Sequence, residues 1–257
     1  PNGKKPNGKK PNGEKKVSPA TINKCLRTLQ ACFSKAIDRG YLVKNPFHGK
    51  RKSLFIREAE PVPNPMEPQE FEKLLAACLD DRWRAICTIG YYAGLRQQEI
   101  LHLEWSDVDF KNQLLHVRNK VKKGFLTKSR KNRDIPMTCE VISVLQRLQI
   151  TRFQSEFIIT SEDLDGRKMK NNIARDFAVI CVRAGLVDED KKHKFTMHNL
   201  RDSFVTNLLA VGADPKTVQA LAGHSSFMTT MRYYASVRAK NMSETVNKLS
   251  GLKSKVG

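Results

Sequence analysis

Hydrophobic residues recur with a helical period along most of this chain and switch to short alternating runs near its middle. After Ser18 and Pro19, a natural N-cap and first turn, Ile22, Leu26, Leu29, Phe33, Ala36 and Ile37 form one apolar stripe that Gly40 closes. Phe71, Leu74, Leu75, Cys78 and Leu79 keep the same spacing, and Trp83 to Tyr92 is apolar enough for a more buried helix. Gly94 breaks that helix, so Arg96 falls at a turn and Glu99 one helical turn later, beside Ile100 and Leu103. Short strands are expected at Asp107–Phe110 and Leu114–Val117, then a basic hairpin through Thr127 to Pro136, with a further short strand at Phe157–Thr160. Helices resume over Val141–Leu148 and around Ile173, Phe177, Ile180, Cys181 and Ala184. The pattern predicts a mainly α fold with a small antiparallel β-sheet, an α+β class.

Candidate chemistry concentrates between Thr196 and Tyr234. His198 and Arg201 stand three apart at the start of a helix lined by Leu200, Phe204, Val205, Leu208 and Leu209, so an imidazole and a guanidinium share a face. Gly212 ends that helix, Asp214 caps the next with Pro215 at its first position, and Gly223 stops it just before His224. A polar run then leads to Tyr233 and Tyr234. Taken singly, each of these residues is more often structural. Together, two His, one Arg and a phenol are the parts of a phosphate-handling site.

Charge sharpens this reading. The 257 residues carry a formal net charge of +20, a strong attraction for a polyanion, and nucleic acid is the economical partner. No apolar run is long enough to span a membrane, and the N-terminus lacks the pattern of a signal peptide. The six cysteines lie far apart without a CxxC pair, so they are expected to be buried thiols in a reducing compartment and not metal ligands or disulfides. A cytoplasmic, nucleoid-associated protein is the corresponding expectation.

The chain divides by composition. Residues 1–16 repeat Pro-Asn-Gly-Lys-Lys as a flexible basic arm, 17–47 hold one helix of a partial helical domain, and 48–65 form a basic, Pro-rich linker. The main domain runs over 66–240, and 241–257 form a weakly amphipathic tail through Met242, Val246 and Leu249. A start at Pro1 without methionine suggests a fragment of something longer.

The segments Ala93-Gly-Leu-Arg-Gln-Gln-Glu-Ile, the hairpin ending Asp-Ile-Pro136, His198-Asn-Leu-Arg-Asp-Ser-Phe, Leu221-Ala-Gly-His-Ser-Ser and a Tyr nine residues after that His resemble, in order and spacing, the catalytic domain of the tyrosine recombinase, or phage integrase, family. Residues 17–47 resemble the last part of that family's helical core-binding domain. Ala222 replaces a common Leu before Gly-His, and Gln98 replaces a common small residue before Glu99; both departures are mild. The shortened N-terminal domain is a larger one, because the family grips DNA with both lobes.

The resemblance implies a site-specific recombinase that cuts and rejoins DNA strands through a 3′-phosphotyrosyl intermediate without metal, ATP or other cofactor. It implies Arg96 and Arg201 as a clamp on the scissile phosphate, Lys128 as general acid for the leaving 5′ oxygen, His198 as a helper in deprotonating the phenol or a hydrogen-bond partner of the phosphate, and His224 as a donor to the phosphate. Tyr233 becomes the nucleophile and Tyr234 a structural neighbour, while Glu99 orients Arg96. Two planar, permanently charged guanidiniums suit the charge on nonbridging oxygens, and a phosphotyrosyl ester conserves the energy of the broken bond for rejoining. Lys122, Lys123, Arg130 and Lys131 are candidate DNA contacts on the hairpin, with a solvated basic surface as their plain alternative. The implied partner is double-stranded DNA, bound by a homotetramer with the tail packing on a neighbouring protomer. Three rivals remain: a type IB topoisomerase, a non-catalytic helix-turn-helix protein reading DNA through Asp214–Tyr233, and a metal nuclease using Asp107 and Asp109.

Overall fold

In the computed structural model, which describes residues 17–47, 54–58, 62–150, 155–160 and 172–240, the chain divides into two units, Pro1–Pro61 and Val62–Gly257. The basic arm, parts of the linker and the tail containing Met242, Val246 and Leu249 lie outside the described residues.

The first unit is built on α1 (Pro19–Asp38), where Ser18 Oγ accepts the Thr21 N–H at 3.3 Å and Pro19 supplies a preset φ. Its apolar stripe is only half-buried, and Leu29 is exposed. A single helix has little to cover such a stripe. The buried α1 residue is instead Asn23, which accepts from the Ile56 N–H and donates to the Ile56 carbonyl and to Glu58, fastening residues 54–58 to the helix. Cys25 and Cys32 are exposed here, as is Cys139 in the second unit, so the buried-thiol expectation holds for Cys78, Cys87 and Cys181 alone. Helical spacing puts several of the six on apolar faces, but Cys25, Cys32 and Cys139 fall outside the covered faces of their helices.

The second unit runs α2 (Pro68–Ala77), α3 (Asp81–Tyr92), α4 (Gln97–Leu101), β1 (Val108–Asp109), β2 (Leu114–Val117), β3 (Arg133–Pro136), α5 (Cys139–Ile150), α6 (Ile173–Arg183), α7 (Met197–Ala210), α8 (Pro215–Ala222) and α9 (Phe227–Lys240). Asp80 caps α3 by accepting the Trp83 N–H at 2.8 Å, and α3 then buries Trp83 and every residue from Ala85 to Tyr91. Both α5 and α7 pack against it. The three strands form an antiparallel sheet in the order β1-β2-β3, with Leu115 opposite Ile135 and Val117 opposite Arg133. Leu115, Val117 and Ile135 are buried, so alternate residues of the pair face the core.

Two strand expectations are corrected. Asp107 accepts the Glu104 N–H at 2.9 Å and closes a 3-10 turn over Trp105–Asp107, which leaves only Val108–Asp109 to pair. Phe157 makes a single bridge to Glu104, not a strand.

The helix α7 belongs to two hydrophobic clusters. Met197 and Leu200 join the main core, whereas Phe204, Val205 and Leu209 pack with Val218, Ala222 and Val237. Between α3 and α4 the chain turns at Gly94, with φ of +63°, and an added Cβ would lie 2.2 Å from Phe204 Cδ1. Only glycine meets both demands. Gly94→Ala should cost about 1–2 kcal/mol for left-handed backbone plus about 1–3 kcal/mol for overpacking. Gly212→Ala, with φ of +91° and open space around it, should incur only the backbone part. Urea denaturation of both variants checks this; equal losses would remove the packing argument.

Candidate active site

The last carbonyls of α8 organise the polar centre of the second unit. Asp214 accepts the Thr217 N–H at 2.9 Å to start α8, and Gly223 ends it in the left-handed region at φ of +66°. Arg201 Nη2 donates to the Ala222 carbonyl and Arg96 Nη2 to the next one, Gly223, at 3.1 Å. Two guanidiniums from distant segments therefore meet on neighbouring peptide oxygens, at a helix end whose dipole favours cations. Arg201 is 2% exposed and donates through Nη1 to the Gly94 carbonyl at 2.5 Å. Burial, and then the nearby Arg96 charge, push its pKa down to about 9, which still leaves it protonated at neutral pH.

Glu99, 3% exposed, ties this pair to the hairpin. It accepts the Arg96 N–H at 2.9 Å and Arg96 Nη1 at 3.0 Å, so the same residue closes the first turn of α4 and orients the arginine. On its other side it accepts Arg133 Nη1 at 3.1 Å and Nη2 at 2.7 Å, while Arg133 Nε donates to the Leu221 carbonyl at 2.9 Å. Burial pushes the Glu99 carboxyl up, but Arg133 and Arg96 outweigh it and hold the pKa below the ordinary value. Arg133 is a site residue that sequence reasoning missed. A signal was present: two residues before core-facing Ile135 on a strand, it must share the inward face.

Tyr233 arrives on α9, which packs back against α7 and α8. Its hydroxyl donates to Asp202 Oδ1 at 2.6 Å, and its ring stacks on His224 with centroids 6.0 Å apart. Burial, then the hydrogen bond and charge of Asp202, raise the phenol pKa above its usual value, against Arg201 and Arg232. His224 Nδ1 hydrogen-bonds Thr230 Oγ1 at 3.0 Å. Its burial, followed by the charges of Arg201 and Arg96, pushes the imidazole down to about 3, so it is neutral across the physiological range. His198 stands at the open edge, with 65% of its side-chain surface exposed and Nε2 3.7 Å from Asp202 Oδ1. Asp202 is the second residue the sequence reading passed over, although its place four residues after His198 puts both on one helical face. Tyr234 is half-buried and packs against the same C-terminal cluster as Tyr233.

A cleft of about 410 Å³ brings Lys128 together with Arg96, Glu99 and His198, and Phe125 and Met197 form its apolar side. A second cleft, of about 400 Å³, is lined by Lys131, Arg133, Lys216, Gln219, His224 and Ser225, among others. Lys128, Arg130 and Lys131 are exposed on the excursion between β2 and β3, with Arg130 in a turn at φ of +55°. Lys122 is exposed on the 3-10 turn Val121–Lys123. Lys123, on the same turn, pairs with Glu104 at 2.8 Å and Glu156 at 2.6 Å. Asp107 is held by Lys120 Nζ at 2.5 Å and Asp109 accepts from the Asn112 N–H at 2.9 Å, so each of these carboxylates has its own structural task. Nor does α9 project as a free reading helix, since Val237 is buried with Leu209 and Val218.

Comparison with known proteins agrees with this geometry. The tyrosine recombinase XerC-like protein of Caldanaerobacter subterraneus subsp. tengcongensis is 26% identical over 91% of this chain and 67% of its own length. The transposase from transposon Tn916 of Enterococcus faecalis is 30% identical over 84% of this chain and 58% of its own length. A solved structure of the Tn1549 transposon integrase in complex with transposon right end DNA superposes with a TM-score of 0.71 and 26% identity, over 91% of this chain and 81% of that one. The described residues contain no helix long and apolar enough to cross a membrane. The model of the phage integrase family matches residues 64–240, more than half of the chain, and the protein belongs to that family.

Proposed function

We propose that this protein is a site-specific DNA recombinase in which Tyr233 attacks a backbone phosphate, forming a 3′-phosphotyrosyl bond and releasing a 5′ hydroxyl. Arg96 and Arg201 bind the nonbridging oxygens, Lys128 protonates the leaving oxygen, His224 donates to the phosphate, and His198 exchanges protons at the open edge. Glu99 orients Arg96. Lys122, Arg130 and Lys131 contact flanking phosphates. The DNA partner is carried over from the Tn1549 integrase complex, and a homotetramer on two duplexes follows from the family likeness.

The observation that carries this reading is the meeting of three chain segments. Tyr233 bonds to the residue beside Arg201, stacks on His224, and His224 directly follows the carbonyls that hold Arg96 and Arg201. Phosphoryl transfer places negative charge on equatorial oxygens, and fixed positive groups at that spot stabilise it without reorganisation. Each guanidinium has five donors and gives two bonds to protein groups here, Arg96 to Glu99 and Gly223, and Arg201 to Gly94 and Ala222. Donors therefore remain for an anion.

Incubation with fragmented DNA followed by denaturing gel analysis should reveal a covalent adduct in wild type and Tyr234→Phe but not in Tyr233→Phe. The adduct should persist in EDTA, and sequencing the trapped DNA would identify the site. Transfer of the captured strand to a second duplex separates recombination from supercoil relaxation. An adduct surviving in Tyr233→Phe overturns the assignment.

The electrostatics give a second expectation. His224, held at about 3 in the folded protein against an ordinary 6.5, stays neutral while the unfolded chain takes up a proton. Its contribution to stability is complete above about pH 6.5 and is lost progressively as pH falls toward about 3. A bound phosphate diester offsets the arginine charges and should raise this pKa, so DNA binding should take up protons. Histidine side-chain NMR with and without bound DNA checks both; a His224 that titrates near 6.5 without DNA refutes the proposed field.

A further inference from the structure

Family likeness gives His198 the task of helping to deprotonate the phenol or of hydrogen-bonding the phosphate. The geometry assigns the direct contact elsewhere. Tyr233 Oη donates to Asp202 Oδ1 at 2.6 Å, while His198 Nε2 is 3.7 Å from that same carboxylate oxygen. We propose that Asp202 is a catalytic residue of the recombinase, the first acceptor of the Tyr233 proton as the phenol attacks phosphorus. This inference rests on the function proposed above.

The step balances without a further reactant. The Tyr233 Oη–P bond forms, the P–O5′ bond breaks, the phenolic proton passes to Asp202 Oδ1, and the 5′ oxygen leaves with a proton from Lys128. Rejoining reverses each transfer. A phenol with an ordinary pKa of about 10 is not ionised by a free carboxylate near 4 in the ground state. As the O–P bond forms, however, the phenolic O–H becomes acidic, and a base already at hydrogen-bond distance can take its proton in the transition state.

The surroundings of Asp202 suit this task. It is 7% exposed, and burial raises its pKa, opposed by the Tyr233 hydrogen bond, His198 and Arg201, so it is a stronger base than a solvated carboxylate. From α7, His198, Arg201 and the Asn199 amide, whose Nδ2 lies 3.4 Å from Oδ2, face it; from α9 it meets Tyr233, and Arg232 acts on the same phenol. His198, beside the carboxylate and largely exposed, gives the captured proton a way to solvent. A carboxylate that only steadied the ring would need its acceptor oxygen and not its basicity. An amide separates these two roles.

The experiment uses the full chain as wild type, Asp202→Asn, Asp202→Glu and Tyr233→Phe, with a duplex of the sequence recovered from the trapped adduct. Single-turnover capture is followed from the lowest pH at which the protein stays folded up to about pH 9. Wild type should show an acidic limb on which the rate rises with pH as the carboxylate ionises. Asp202→Asn, nearly isosteric and still an acceptor, should be slower by about 100-fold or more and lose that limb, and Asp202→Glu should recover part of the rate. Without DNA, the phenolate absorbance step that is missing in Tyr233→Phe should move to lower pH in Asp202→Asn. Capture by Asp202→Asn within a few-fold of wild type with the same limb, or an unmoved phenolate step, overturns the inference while leaving the recombinase reading intact. Wild-type protein that captures no DNA overturns both.

Discussion

Two neighbouring carbonyls at the end of a short helix hold two like charges together, and the site is assembled on that contact. Bringing Arg96 beside fully buried Arg201 is unfavourable in itself, since desolvation and repulsion both oppose it. The cost is offset by satisfying each guanidinium with fixed oxygens: Ala222, Gly223 and Gly94 from the backbone, and Glu99 from α4. Those oxygens exist there because Gly223 can adopt the left-handed conformation that ends α8 and because Gly94 can turn the chain against Phe204. Backbone geometry at two glycines thus sets the positions of two charges.

Glu99 is one carboxylate shared by Arg96 and Arg133, with Arg201 close by, so the protein leaves the cluster with surplus positive charge. The surplus is visible in its effect on neighbours: after burial, Arg201 and Arg96 depress His224, and Arg96 depresses Arg201. A site left in this state is destabilised until an anion enters, and in the proposed reaction the free energy so withheld becomes binding and transition-state stabilisation for the phosphodiester. Arg133 adds a mechanical link. Its fork on Glu99 and its bond to the Leu221 carbonyl join the base of β3 to α4 and α8, which anchors the excursion carrying Lys128 beside the arginines.

Much of this was legible in the sequence because periodicity reports burial. The 3.6-residue pattern located the longer helices of the second unit as far as α8, and the glycines at 94, 212 and 223 marked their ends, but α9 reads in the sequence only as a polar run leading to the two tyrosines, because its apolar positions are few. Arg96, His198, Arg201, His224 and Tyr233 stood out because each is a chemically distinctive residue at a helix boundary or in a motif. Arg133 did not, since among the many cations of the hairpin a buried one looks like an exposed one until the register of Ile135 is followed inward. Asp202 was hidden for the opposite reason: a carboxylate next to an arginine reads as an ordinary ion pair, and its partner lies thirty-one residues away on a helix whose docking no local pattern specifies. Lys123 illustrates the same point, because its ion-pair partners Glu104 and Glu156 reach it only through the fold.

The two halves of the chemistry are held with unequal rigidity. The helix α7, which carries Arg201 and Asp202, buries eight residues and joins both hydrophobic clusters. Among its described residues α9, which carries Tyr233, buries Thr230 and Val237, and both are engaged close to the site, Thr230 with His224 and Val237 with the C-terminal cluster. An element with few buried contacts opens at lower free energy than the core it rests on. The arginines proposed to receive phosphate are therefore fixed in the scaffold, whereas Tyr233, the proposed nucleophile, rides on the less firmly held helix and is registered to that scaffold through its own hydroxyl. A bond that ends on the proposed reacting oxygen makes position and protonation a single variable: when Tyr233 is in place its proton faces Asp202, and any displacement of α9 would break the contact that orients it at the same time.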